Sequence, residues 1–215
     1  MNRTITITGV GKASVKPDQI VITLALETID YEYEKTMQLA TAAIATLNEA
    51  IHSAGFGKET LKTTRFNIDT DYESFRDKNN DYKRRFAGYK CEHNLKLTFD
   101  YDTAQLSKVL TAIAKSHVYP EINIQFTVKD PTAVSEQLLI NATENARRKA
   151  EVLARAAGTE LGELLNIDYS WNDIYFHSPT HYQRNSHIMM EASAPKIEPE
   201  DINVQDSVSF VWGLK

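Results

Sequence analysis

The chain has 215 residues, 42% of them apolar and 25% charged, enough to bury roughly 70% of the unfolded surface without staples and too apolar for a disordered chain. A formal net charge of -5 offers no concentrated basic surface to release counterions from phosphate, so no nucleic-acid partner is expected. No run approaches the ~20 apolar residues of a membrane helix. Met1-Asn2-Arg3 leads directly into a strand pattern with no apolar leader, so a cytoplasmic protein is the simple reading, and a periplasmic or exported one if a leader was removed. The single cysteine, Cys91, cannot form an intrachain disulfide and does not discriminate between compartments.

Isoleucines and threonines alternate from Thr4 to Thr8, Gly9 and Gly11 relieve the backbone where it bends, and Pro17-Asp18 precedes a second alternating run from Gln19 to Thr28. This predicts a hairpin that opens a sheet. Met37, Ala40, Ile44, Leu47, Ile51 and Ala54 recur at helical spacing, predicting a helix over about residues 33 to 54 that Gly55 and Gly57 stop. Phe66 to Tyr72 and Tyr89 to Phe99 alternate as two strands around the polar turn Asp77 to Asp81.

Asp102 is placed to cap a short helix through Leu106, Val109, Leu110 and Ile113, and Ile122 to Val128 alternate as a strand. Asp130-Pro131 opens a helix over about residues 131 to 157, with Val134, Leu138, Ala142, Ala146, Ala150, Leu153 and Ala157 on one face and Glu144–Arg148 and Glu151–Arg155 as i,i+4 pairs. Leu165 to Trp171 and Ile202 to Trp212 are the remaining strands. The pattern predicts an α+β fold of two βαββ-type units, each a two-layer sandwich on a largely antiparallel sheet. The units are pseudo-halves 1–101 and 102–215 of one 1–215 domain, with a loop insertion at about 172–200.

The ordered series of motifs resembles the SIMPL family. It comprises Ile7-Thr8-Gly9-Val10-Gly11, Pro17-Asp18, Gly88-Tyr89, the alanine-rich Asn141 to Ala154, Gly158, Leu161-Gly162 and Pro195 to Pro199. The chain departs from the family pattern at Glu200-Asp201, where a Gly-Glu is usual. The resemblance implies a scaffold or binding protein rather than a known catalyst, with relatives among periplasmic immunogenic proteins, oxidative-stress-defence proteins and an animal signalling adaptor. It implies ring-shaped homo-oligomers for some members and carries over no catalytic residues and no cofactor.

Gly9 to Ser14 has the residue types of a phosphate loop but neither its spacing nor a helix after the lysine, so it reads as a structural turn. His177, His181 and His187 form a candidate zinc set, weakened by Pro179 between the first two. Cys91 is a candidate thiol with His93 on the same strand face; residues two apart are ~6.5 Å apart along a strand, so a core position is the simpler reading. Lys83-Arg84-Arg85 and Arg147-Arg148-Lys149 read as solvated, locally paired surface. The expected function is a non-enzymatic, self-associating scaffold or binding protein of unknown small-molecule or protein ligand, linked to stress defence or the cell envelope. Its assembly contacts are expected from Trp171, Ile174, Tyr175, Phe176, Tyr182, Ile188, Met189 and Met190 of the 172–200 loop. The alternative is a thiol- or metal-dependent enzyme using Cys91 or the histidine loop.

Overall fold

Strand pairing departs at once from the simplest pattern. Thr4–Val15 (β1) and Gln19–Asp30 (β2) follow each other in sequence yet belong to different sheets. The computed structural model describes residues 3–170, 173–180 and 197–215, and the backbone path of residues 182–184. The further elements are Tyr33–Ser53 (α1), Lys62–Arg76 (β3), Tyr82–Asp100 (β4), Thr103–Lys115 (α2), Glu121–Thr127 (β5), Pro131–Ala156 (α3), Leu161–Asp168 (β6), Tyr182–Arg184 (β7) and Ile202–Leu214 (β8). The fold is α+β, with helices laid on two largely antiparallel sheets. The chain divides into two compact units, one of residues 1–18, 127–179 and 199–215 and the other of residues 19–126 and 180–198. This cuts the chain differently from the halves 1–101 and 102–215.

In the unit of residues 19–126 and 180–198, the strand order is β3-β4-β2-β5-β7. Alternation sends Ile20, Ile22 and Leu24 of β2, Leu95 and Leu97 of β4, and Ile122, Ile124 and Phe126 of β5 to one face. There they meet Leu47 and Ile51 of α1 and Leu106, Val109, Leu110 and Ile113 of α2 in one core. Asp102 caps α2 as expected, accepting from the amides of Ala104 and Gln105 at 2.8 and 3.0 Å. Helix α1 has no side-chain cap. Its first turn is instead fastened by the fully buried Thr36, whose hydroxyl lies within 3.3 Å of the Asp30, Glu32 and Tyr89 carbonyls.

The other unit holds a sheet of order β1-β8-β6. β1 and β8 are antiparallel from Thr4↔Gly213 to Val15↔Ile202 without a break in register. Helix α3 lies on this sheet with Ala142, Ala146 and Ala150 fully buried against Val208, Phe210 and Trp212, whose last two rings stack 5.3 Å apart. The glycines of β1 seat the helix rather than bend the strand. A Cβ on Gly9 would stand 2.0 Å from the Ala142 carbonyl oxygen, and one on Gly11 1.9 Å from that of Leu138, so only glycine permits this approach. Outward backbone groups of β1 between Thr8 and Lys12 are taken up by the same helix. Asn145 accepts from the Val10 amide at 3.1 Å, Asn141 donates to the Lys12 carbonyl at 3.0 Å, and Lys149 donates to the Thr8 carbonyl at 3.2 Å.

Several expectations are corrected. The β1–β2 hairpin does not form, because the 12-residue match with β8 uses β1's pairing side. Leu153 is half exposed and Ala154 is buried in its place, because the buried positions of α3 recur every four residues through Leu138, Ala142, Ala146, Ala150 and Ala154. The ion pair on α3 is Arg147–Glu151 at 3.1 Å, not Glu144–Arg148 or Glu151–Arg155. β6 spans Leu161–Asp168, beginning before the expected Leu165, and the expected end at Trp171 lies outside the described residues; β4 begins at Tyr82, well before Tyr89.

Candidate functional site: a projecting ribbon and an open sheet face

The early start of β4 has a structural result. β2 pairs with β4 only as far as Asp30↔Tyr89, while β3 and β4 continue together from Asp71↔Gly88 to Arg76↔Tyr82. Beyond Tyr89 the sheet is therefore reduced to a two-stranded ribbon, roughly 20 Å long at ~3.4 Å per residue. Gly88 marks its root, at φ +141° beside a register shift, where a Cβ would stand 2.6 Å from the Asp30 carbonyl oxygen. The tip is closed by Asp77, whose carboxylate accepts from the amides of Asn79 and Asp81 at 2.9 and 3.1 Å and pairs with Lys83 at 2.7 Å. These contacts hold the Asp77 carboxyl below its ordinary pKa, with Lys83 the largest cause.

An isolated two-stranded ribbon is marginal in water, and this one is supported by cross-strand pairs on both faces. One face carries Glu73 opposite Arg85 and Phe75 opposite Lys83, with Glu73 and Arg85 in an ion pair and Arg85 over the Phe75 ring. The opposite face carries Tyr72 with Phe86, Ser74 with Arg84 and Arg76 with Tyr82. There Arg84 stacks over Tyr72 at 5.1 Å and Arg76 over Tyr82 at 4.6 Å. Tyr31 meets Phe86 edge-on at the root. Tyr82 is 74% and Tyr31 67% exposed, values that set these rings apart from core aromatics.

The second feature is the sheet face turned away from α1 and α2. Glu27 and Glu92 lie directly opposite each other on β2 and β4, an arrangement that would repel. Lys90 resolves it by reaching both carboxylates, at 2.7 and 3.1 Å, and these bonds raise the lysine's pKa, Glu27 first. Arg65 stands 3.7 Å from Glu92. Beside them a cavity of about 480 Å³ is lined by Ala25, Leu26, Glu27, Glu92, Asn94, Tyr119 and Glu121.

The candidate residues of the sequence fall elsewhere. Cys91 is 1% exposed, and burial pushes its thiol above the ordinary value despite the Thr28 hydroxyl beside it, the opposite of what a nucleophile needs. His93 is committed to Thr63, its Nε2 2.8 Å from Oγ1, with Phe66 edge-on at 5.1 Å. Its Nδ1 is buried without a partner among the described residues, and burial pulls its pKa down. His177 is exposed and its backbone bridges Thr127. His181 and His187 lie outside the described residues.

Of the apolar loop residues, Trp171, Ile188, Met189, Met190 and the side chain of Tyr182 also lie outside the described residues. Phe176 and Ser178 are tied down through Thr127 and Glu200 at 2.6 and 2.7 Å, and Tyr175 stands out at 75% exposure. Lys83 and Arg85 are paired on the ribbon as expected, but Arg84 sits on a ring instead. The ribbon escapes a reading by periodicity because both its faces are exposed. Its signal was the equal alternation of Tyr72, Ser74 and Arg76 against Tyr82, Arg84 and Phe86 around a turn.

The chain belongs to the SIMPL family, a protein of unknown function (DUF541), whose model matches residues 5–212. It is also similar to the 26 kDa periplasmic immunogenic proteins of Brucella melitensis biotype 1 and Brucella abortus strain S19, at 27% and 26% identity over 163 residues. Those matches cover 76% of this chain and 65% of each relative's length.

Proposed function

We propose that the chain is a non-enzymatic, self-associating scaffold or binding module of the cell envelope. The observation that carries this reading is the ribbon of β3 and β4. A two-stranded projection gains nothing for its own core, yet it exposes Tyr72, Phe75, Tyr82 and Phe86. Rings of this kind, interleaved with arginine, have the composition of interface centres. The relatives' printed names place those proteins in the periplasm, which supports the exported alternative over the cytoplasmic one. No helix among the described residues is long and apolar enough to cross a membrane. The setting of stress defence rests on the family resemblance alone.

Light scattering on the intact chain across a wide concentration range tests the reading. Assemblies larger than the 24.3 kDa chain are expected. A monomer at every concentration rejects self-association, and thiol- or metal-dependent turnover abolished by Cys91→Ala or by chelation supports the enzyme alternative. Replacing residues 174–192 with a Gly-Ser linker tests the loop separately. Unchanged assembly of that variant removes the loop from the contact and leaves the ribbon in it.

A further inference from the structure

We propose that the first half of β1 accepts a further strand, the tail of a peptide chain that ends in an aliphatic residue with a free carboxylate. The site is independent of the ribbon and of assembly. Backbone groups alternate in direction along a strand. Thr8, Val10 and Lys12 turn theirs to Lys149, Asn145 and Asn141 of α3, whereas the Arg3 carbonyl accepts from Leu214. Even-numbered residues of β1 therefore point out of the sheet and odd-numbered ones towards β8. The helix side chains that meet the outward groups stand four apart, and the next step is Leu153, which has no polar atom to offer. The Thr4 carbonyl, both groups of Thr6 and the Thr8 amide have no partner among the described residues, and Thr4, Thr6 and Thr8 are exposed. This stretch of border carries no proline, bulge or charge to blunt it.

Beside it lies a cavity of about 370 Å³ lined by Ile7, Arg148, Lys149, Val152 and Leu153. It opens where the close seat of α3 on Gly9 and Gly11 gives way to Ile7. Val152 and Leu153 are 59% and 50% exposed, so the walls are aliphatic and open to water. At the rim, Lys149 holds the Thr8 carbonyl at 3.2 Å, and Arg148 makes no ion pair or hydrogen bond among the described residues. Glu151 is taken by Arg147 at 3.1 Å.

These surroundings choose the occupant. Side chains of α3 fill the border from the Thr8 carbonyl onwards, so an added strand has to end beside Thr8. Its end there is a carboxylate if it runs parallel to β1 and an ammonium if it runs antiparallel, and Arg148 and Lys149 select the carboxylate. In a parallel pair the residue opposite Ile7 turns its own amide and carbonyl to β1 and its side chain to the face of Ile7. As the last residue of the tail it donates to the Thr6 carbonyl, sets one carboxylate oxygen at the Thr8 amide and the other at Arg148, and fills the cavity with its side chain. The main chain then supplies affinity and the cavity supplies the choice of side chain.

The probe is a labelled hexapeptide of alternating threonine and leucine, leucine last, with a free carboxylate, and fluorescence anisotropy reads its binding to the full chain. Amidation of the peptide terminus, Arg148→Glu and Val152→Asp should each weaken binding about tenfold or more; both substitutions sit at exposed positions and leave the fold intact. N-methylation reads the direction of the strand. Methyl groups on the leucine amides should abolish binding, and methyl groups on the threonine amides should be tolerated. The reverse pattern makes the strand antiparallel and overturns the carboxylate assignment, and tolerance of both reveals apolar capture without strand addition and overturns the proposal. Without peptide, the Thr6 and Thr8 amides should exchange hydrogen quickly, and they should slow when it binds. Slow exchange in the free protein means that the border is already covered, by the chain itself or by a second copy, and overturns the proposal, as does a probe that fails to bind at about 1 mM.

Discussion

Strands β1 and β3 both border a sheet, and their outward backbone groups meet opposite fates. Those of β1 between Thr8 and Lys12 are taken by Asn141, Asn145 and Lys149, spaced four apart on a helix that two glycines admit to contact. β3 instead continues beyond the end of β2 with exposed side chains and, among the described residues, β4 as its paired strand. An unprotected edge is a liability that folded proteins blunt with helices, bulges or charge. The same chain closes one border with side chains and leaves the other long, charged and aromatic, which separates a stability requirement from a recognition requirement at residue level. Substitutions at the two borders should therefore move different observables.

The largest effect should come from filling the seat of α3. Gly11→Val places carbon where the Leu138 carbonyl stands and should cost more than about 3 kcal/mol or abolish folding of that unit. Urea unfolding followed through the emission of Trp212 measures it. Adding the same side chain on the ribbon, Ser74→Val, should stay within about 0.5 kcal/mol of wild type. Equal losses at the two positions would erase the contrast.

Cys91→Ala should lose about 1 kcal/mol through a small cavity, with assembly unchanged. Native Cys91 should react with a thiol reagent far more slowly than a free thiol peptide, and fast labelling would contradict its burial. Asn145→Ala should cost about 1 kcal/mol by leaving the Val10 amide without its partner. Hydrogen exchange at Val10 should quicken while exchange along β3 stays as it was.

His93 supplies a pH dependence confined to the larger sheet. Burial lowers its folded pKa below the ordinary 6.5, so the unfolded chain takes up the proton first. The stability it contributes is therefore complete above about pH 6.5 and declines as pH falls towards the folded value. Denaturant midpoints should fall through that acid window in the wild type and flatten in His93→Gln. Smallest in stability is Tyr82→Ser on the ribbon, expected within about 0.5 kcal/mol, yet it should shift the assembled mass that Asn145→Ala leaves alone.

Much of the fold was legible because its periodicities are buried on one side. The helices expected at 33–54 and 131–157 appear as 33–53 and 131–156, and alternation marked the inward residues of β2, β4 and β5 correctly. Strand pairing was not legible. β1 and β2 look like a hairpin by proximity, and nothing local reveals that β1's partner lies about 200 residues away. Leu153 misled because hydrophobicity alone assigned it inward, whereas the buried face of α3 steps by four residues from Ala150 to Ala154. The candidate site was obscured for the reverse reason. Tyr72, Arg84 and Phe86 form no amphipathic stripe, and Glu27 meets Glu92 only through a register that no sequence pattern specifies.

The unbroken pairing of β1 with β8 constrains the order of events during translation. Residues 19–126 emerge as one stretch containing all but the short β7 of their sheet, so they can collapse while synthesis continues. β1 leaves the ribosome with no strand partner until β8 follows roughly 190 residues later, a wait of about 10–40 s at ordinary elongation rates. Nascent chains stalled just before Ile202 should hold the larger sheet protected against protease while β1 is still cut. Its alternating isoleucines would be open throughout that interval to any chaperone that takes extended apolar segments.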